Sequence, residues 1–139
     1  MTEQEQQALC RRIMEGSSQP GWFSNQLKIV YDHLDSRSAE GHIVAEKEHC
    51  NPFNIVHGGV YCTMMDQVAG SAACTRGSMC RTVNCEVRFL AAAQGAHLTS
   101  RAEAVRMGRS IAVIRAWVED AAGAVCAEGV YTFRLKPME

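Results

Sequence analysis

The chain has 139 residues, 47 % of them hydrophobic, which fits one domain with a single core and no need of disulfides. Its 14 basic and 15 acidic residues leave a net charge of -1 and are spread along the chain, so no basic stripe recruits nucleic acid and no charge block marks a tail. No apolar run reaches membrane-spanning length, and the polar, acidic start Met-Thr-Glu-Gln-Glu-Gln-Gln is unlike a signal peptide; a soluble cytoplasmic protein is expected.

Thr2 with Glu5 has the spacing of a capping box, which predicts a helix over residues 1–16 with Leu9/Ile13 and Cys10/Met14 as its apolar face. Gly16-Ser17-Ser18 ends it. Two alternating runs follow, Leu27–Leu34 and Gly41–Glu48, joined by polar residues; their spacing predicts an antiparallel hairpin. Trp22, Phe23 and Trp117 are placed by default in core packing, with an acyl pocket as the other option. From about His57 to Cys74 the pattern changes. Val60, Met64 and Val68 recur every fourth residue, the spacing of a helix. Beside them Gly59, Cys62, Thr63, Asp66, Ala69, Gly70 and Ala73 form a strip of small residues that lets another backbone come close. The glycines weaken this helix, so a sheet wrapped around it is the simplest support. Four further strands are predicted, Thr82–Leu90, Leu98–Met107, Ser110–Val118 and Val125–Leu135. Turns near Gly95, Gly108 and Gly123 make them an antiparallel meander, with Val83, Cys85, Val87 and Phe89 on one side of the first.

The seven cysteines are odd in number and include no Cys-x-x-Cys pair. They read as small buried hydrophobes, with no disulfide framework and no metal site. Cys62 lies one helical turn before Asp66 and is the one thiol with a conceivable catalytic place, but a neighbouring carboxylate raises a thiol pKa.

Asn51, the run His57-Gly58-Gly59 and Asp66 stand out. A carboxylate among small and apolar residues is costly unless it is paired, solvated or working. At these spacings the residues resemble the PaaI-like acyl-CoA thioesterases of the hotdog superfamily. Val87-Arg88-Phe89-Leu90 resembles the third strand of that family, and Gly108-Arg109 resembles its turn into the next strand. Val125–Phe133 resembles its closing strand. The resemblance covers roughly 26–135. It implies an α+β hotdog fold, an antiparallel curved sheet around one long central helix, here preceded by an extra N-terminal helix. Two departures are visible: Ala91 where relatives have Pro after Phe-Leu, and Asn54 where many have Gly or another small residue.

The resemblance implies hydrolysis of an aryl- or medium-chain acyl-CoA to a carboxylic acid and CoA, without a cofactor or metal. Attack on a thioester needs a donor for the developing oxyanion and a base or nucleophile opposite it. The Gly59 N–H at a helix start is assigned to the first role, with Gly58 allowing close approach. Asp66 takes the second, as general base or as nucleophile. Asn51 and His57 are positioning residues near the carbonyl, which a turn asparagine and a capping histidine would also explain. Thr82 matches a strand hydroxyl that holds water. Cys62, Arg106, Gly108 and Arg109 are expected to border the substrate, the arginines facing the CoA phosphates; Arg76, Arg81 and Arg88 are alternatives, and any one of them alone is an ordinary surface charge.

Gly59 and Asp66 are seven residues apart, about 10 Å along one helix. One carbonyl cannot touch both in the same chain, whereas two antiparallel helices related by a twofold bring them together. The site is therefore expected to be shared across a homodimer, with pairing into a tetramer common in the family. An acyl-CoA-binding protein without turnover is the second reading, and a hotdog hydratase or dehydratase the third.

Overall fold

The computed structural model describes residues 1–138. Helix α1 spans Glu3–Ser17 and carries the capping box: Thr2 Oγ1 accepts from the Glu5 N–H, and Glu5 Oε2 from the Thr2 N–H. Leu9 and Cys10 are its buried residues. Strands β1 (Val30–Leu34) and β2 (Ser38–Val44) form the first hairpin. Helix α2 spans Gly58–Cys74, and strands β3 (Ser78–Phe89), β4 (His97–Met107), β5 (Ile111–Glu119) and β6 (Val125–Pro137) complete the chain. All six strands join one antiparallel sheet in the order β1-β2-β4-β5-β6-β3.

The sheet wraps α2. Val60, Met64 and Val68 are buried, as their spacing predicts, and so are Met65, Ala69, Ala72 and Ala73. Ala69 and Ala73 thus leave the predicted strip of small residues and belong to the core. Gly59, Cys62, Thr63, Asp66 and Gly70 remain on the partly open side. Facing α2 from the sheet are Ile43, Leu98, Ile114, Val118, Tyr131 and Phe133.

Further sequence expectations are corrected. The run Leu27–Leu34 is not strand throughout: a 3-10 turn occupies Phe23–Gln26, and Lys28 takes a left-handed φ of 55°, so extended pairing starts only at Val30. The second run begins earlier and ends sooner, because a 3-10 turn at Lys47–His49 captures the chain after Val44; there the Glu46 N–H donates to His49 Nδ1. Trp22 and Phe23 are 61 % and 70 % exposed, outside the core, because that turn holds them on the surface. The last four strands are not one meander. β4, β5 and β6 are, but β3 pairs with β6 and β4 with β2. The link Leu90–Ala96 is longer than the two to five residues of a tight hairpin. It carries the chain across the sheet and leaves β3 as an edge.

β3 also changes parity. A bulge between Thr82 and Asn84 leaves Val83 without a partner on β6. Before it Cys80 and Thr82 face α2; after it Cys85, Val87 and Phe89 do. Val83 does not share a face with Cys85, as simple alternation predicts, and Thr82 joins the inward set.

Candidate active site

The site is built on the open side of α2. Thr82 Oγ1 donates to Asp66 Oδ1 at 2.7 Å. Both line a cavity of about 250 Å³ with Gln67, Cys74, Cys80 and Phe133. Ile13 and Ser17 of α1 close its other wall, a use of the first helix that its sequence does not signal. Gln6 Nε2 fixes that helix by donating to the Thr75 carbonyl at 2.6 Å. Gln67 Nε2 donates to Tyr31 Oη, which is 2.7 Å from Ser71 Oγ, so the neighbour of Asp66 is tied to β1. Burial pushes the Asp66 carboxyl above its ordinary range, and the Thr82 hydrogen bond only partly offsets this. Among the described residues no lysine or arginine forms an ion pair with it.

The start of α2 is a second centre. His57 is its N-cap, and its Nδ1 accepts from the Gly59 N–H at 2.8 Å. A Cβ on Gly59 would lie 3.0 Å from that nitrogen, and one on Gly58 would lie 3.2 Å from the Phe89 ring. Asn51 Oδ1 accepts from the Phe53 N–H at 3.0 Å and the Ile55 N–H at 3.4 Å, closing the loop that delivers the chain to the helix. Asn54, in place of the small residue of many relatives, has a φ of 61°, a left-handed conformation that asparagine tolerates well. Asn51 and Gly58 line a cavity of about 330 Å³ with Val56, Tyr61, Phe89 and Leu90.

The remaining residues separate by role. The Cys62 thiol is pushed up by burial first, then by Cys85 and Asp66, which disfavours a thiolate. Gly108 holds the turn between β4 and β5: its N–H donates to the Ile111 carbonyl, and a Cβ there would come within 2.7 Å of the same oxygen. Arg109 lines a groove beyond that turn, whereas Arg106 does not. Arg76 Nη1 donates to the Met107 carbonyl, so it braces the strand end. Within one chain the expected residues therefore fall into two groups, Asp66 with Thr82 at the middle of α2, and Asn51 with His57, Gly58 and Gly59 at its start.

A curved antiparallel sheet closed around one central helix, with a half-buried carboxylate on the open face of that helix, defines a hotdog-fold protein. The profile of the thioesterase superfamily matches residues 53–127, more than half of the chain, and the chain belongs to that superfamily. A curated protein of Archaeoglobus fulgidus, provisionally named an esterase, is 27 % identical over 106 residues, 70 % of this chain and 69 % of its own. The crystal structure of S. sahachiroi AziG is 26 % identical, with a TM-score of 0.80 over 86 % of this chain and 100 % of its own. E. coli PaaI, from the phenylacetic acid degradation operon, shares the fold at 15 % identity, with a TM-score of 0.86 over 93 % of this chain and 94 % of its own. None of the described helices is long and apolar enough to cross a membrane.

Proposed function

We propose that the protein hydrolyses an acyl-CoA thioester, with Asp66 as the general base that activates water. The observation that carries this reading is the Asp66 carboxylate itself: half-buried, raised in pKa, held by one hydroxyl and given no cation. A structural carboxylate in that setting would be neutralised by a partner. A base benefits from a pKa moved toward its working pH and from a free oxygen facing a cavity.

The oxyanion donor is the Gly59 N–H of a second chain. In the folded chain His57 Nδ1 holds that amide. The carbonyl oxygen gains negative charge as water attacks, and an anionic acceptor outcompetes an imidazole nitrogen. His57 then turns from cap to orienting group. The cavity of Gly58, Tyr61 and Phe89 suits an apolar acyl group of modest size, aryl or medium-chain. β3 supports a homodimer, since Arg81 to Glu86 are all exposed and one edge of the strand is unpaired.

A thiol-release assay over a panel of aryl- and alkyl-CoAs tests the proposal. Asp66→Asn is expected to lower kcat on the order of 10²–10⁴-fold, the usual worth of general-base catalysis, with folding and oligomeric state retained. Tight CoA-ester binding without turnover in wild type would identify a binding protein instead.

A further inference from the structure

Two thiols in the wall of the Asp66 cavity have no part in the proposed hydrolysis. Helix α2 ends at Cys74, and β3 starts at Ser78. A tight turn joins them: the Gly77 N–H donates to the Cys74 carbonyl at 3.0 Å, with Gly77 at a left-handed φ of 83°. The turn folds Cys80 back against the last turn of the helix. Cys80 Sγ donates to the Gly70 carbonyl at 3.4 Å, the oxygen that faces the Cys74 N–H in an α-helix. A Cβ on Gly70 would lie 3.6 Å from the same sulfur, which therefore packs onto bare helix backbone. The Cys80 thiol and the Cys80 N–H both reach the Cys74 sulfur. Both cysteines are partly buried, and both line the cavity with Asp66 and Thr82. Cys80 also borders a groove along the ends of β3 and β6, which gives a small solute two routes to the pair. Among the described residues the remaining cysteines have no such arrangement. Cys10 and Cys126 are buried, Cys50 donates to the Glu46 carbonyl, and Cys85 acts on Cys62 through charge alone.

We propose that Cys74 and Cys80 form a peroxide-responsive thiol pair, which closes to a reversible disulfide and thereby moves Thr82 away from Asp66. Cys74 is the attacking sulfur. The Cys80 thiol lowers its pKa, burial opposes this, and the Cys80 N–H adds to the lowering. Cys80 itself is pushed up, first by Cys74 and then by burial. The C-terminal end of a helix disfavours an anion, so the attack depends on the donors that Cys80 supplies. One sulfur is thus the readier thiolate and the other holds its proton, as in sensor cysteines beside a resolving cysteine. The Cys74 thiolate attacks one oxygen of a hydroperoxide. The O–O bond breaks, Cys74 becomes a sulfenic acid, and the departing oxygen takes up a proton as alcohol or water. The Cys80 sulfur then attacks the Cys74 sulfur; the S–O bond breaks, and hydroxide leaves with the Cys80 proton as water. Two thiols lose two electrons and the peroxide gains them. An added dithiol reverses the step by exchange. A sulfur–sulfur bond is shorter than any hydrogen-bonded contact, so closure draws Cys80 off the Gly70 carbonyl. Thr82 stands two residues along the same inward phase of β3 and carries the Asp66 hydrogen bond, so it moves with Cys80. The thiol pair does not rest on the proposed thioesterase activity; its effect on turnover does.

The test treats the full-length protein with hydrogen peroxide, blocks the remaining thiols with an alkylating agent and maps them by mass spectrometry. Trypsin cuts after Arg76 and Arg81, so the peptide Gly77–Arg81 stays joined to the one ending at Arg76 only through the disulfide. Wild type is expected to lose two of its seven thiols, to yield that linked pair and to regain both thiols with dithiothreitol. Cys74→Ser and Cys80→Ser should each yield no linked pair. Dimedone, which traps sulfenic acids, should label Cys74 in Cys80→Ser, and Cys80 in Cys74→Ser far less. The wild-type peptide map decides the pairing even where a variant folds poorly. With acyl-CoA, oxidised wild type should lose kcat and recover it with dithiothreitol, while Cys74→Ser should keep in peroxide the rate it has without it. Gly77–Arg81 recovered unlinked, Cys80 joined to any other cysteine, or a disulfide between chains would each overturn the pair. Full closure with kcat unchanged would overturn its hold on Thr82. A wild type without turnover that still closes this disulfide would sink the hydrolase reading and leave the thiol pair standing.

Discussion

At the scale of single residues, Asp66 combines two effects with opposite signs. Burial raises its pKa and the Thr82 hydroxyl lowers it, burial being the larger. The base works only when ionised, so kcat/KM is expected to fall on acidification with a midpoint above the ordinary carboxylate value of about 3.9. Thr82→Val removes the lowering contribution, and the midpoint should move to higher pH; a midpoint that stays put would show that Thr82 does not tune the base. The same shift has a consequence for stability. The folded protein holds the Asp66 proton more tightly than the unfolded chain does, so stability contributed by this group is lost as pH rises from the ordinary carboxylate range through the raised folded value. Asp66→Asn should therefore melt at a higher temperature than wild type near pH 7. The two should converge in acid, which calorimetry at two pH values will read. Asp66 stands out in the chain as a carboxylate among small and apolar residues, and the roles proposed for Gly59 and His57 come with the family resemblance. A capping role for His57 is among the readings of the sequence, but which amide it caps is not legible there, because the bond from the Gly59 N–H is fixed by a side-chain rotamer.

At the scale of elements, glycines report where backbone approach is tight. Gly16 in α1 has open space around a built Cβ, whereas one on Gly108 would meet the Ile111 carbonyl. Gly16→Ala is expected to stabilise the protein by about 0.5–1 kcal/mol through helix propensity. Gly108→Ala should destabilise it by about 1–3 kcal/mol, the range for a forced overpacking, and should displace Arg109 with the turn. Urea midpoints at constant m-value decide both. Helix α2 and strands β4, β5 and β6 could be read from periodicity and turn residues, since those signals are local. The order of the strands could not. β3 matches a hairpin strand as well as it matches an edge, and only the length of the Leu90–Ala96 link distinguishes them. The meeting of Arg81 with Arg134 likewise depends on register between strands some fifty residues apart, which no window of sequence contains.

At the scale of the whole molecule, the two groups of site residues on one helix make the arithmetic of mixing informative. Asp66→Asn disables one half of each shared site. Gly59→Val, whose side chain covers the amide, disables the other. If sites are shared, a re-equilibrated equal mixture contains heterodimers with one intact site, and about a quarter of wild-type activity should return by random pairing of a twofold dimer. Sites contained within one chain would give no recovery. Size-exclusion chromatography with light scattering on the same samples establishes that chains exchange.

The unpaired residue at Val83 divides β3 into two phases of side-chain alternation. Cys80 and Thr82 belong to one phase and Cys85, Val87 and Phe89 to the other, and only the extra residue turns both toward α2. Substitution at Val83 leaves that phasing intact. Removing the residue would turn the Thr82 hydroxyl away from Asp66, or turn the Cys85–Phe89 wall outward, without altering any other residue. This site is thus more sensitive to chain length at one position than to composition there: a codon deletion at Val83 breaks a phasing that a missense change at the same codon keeps.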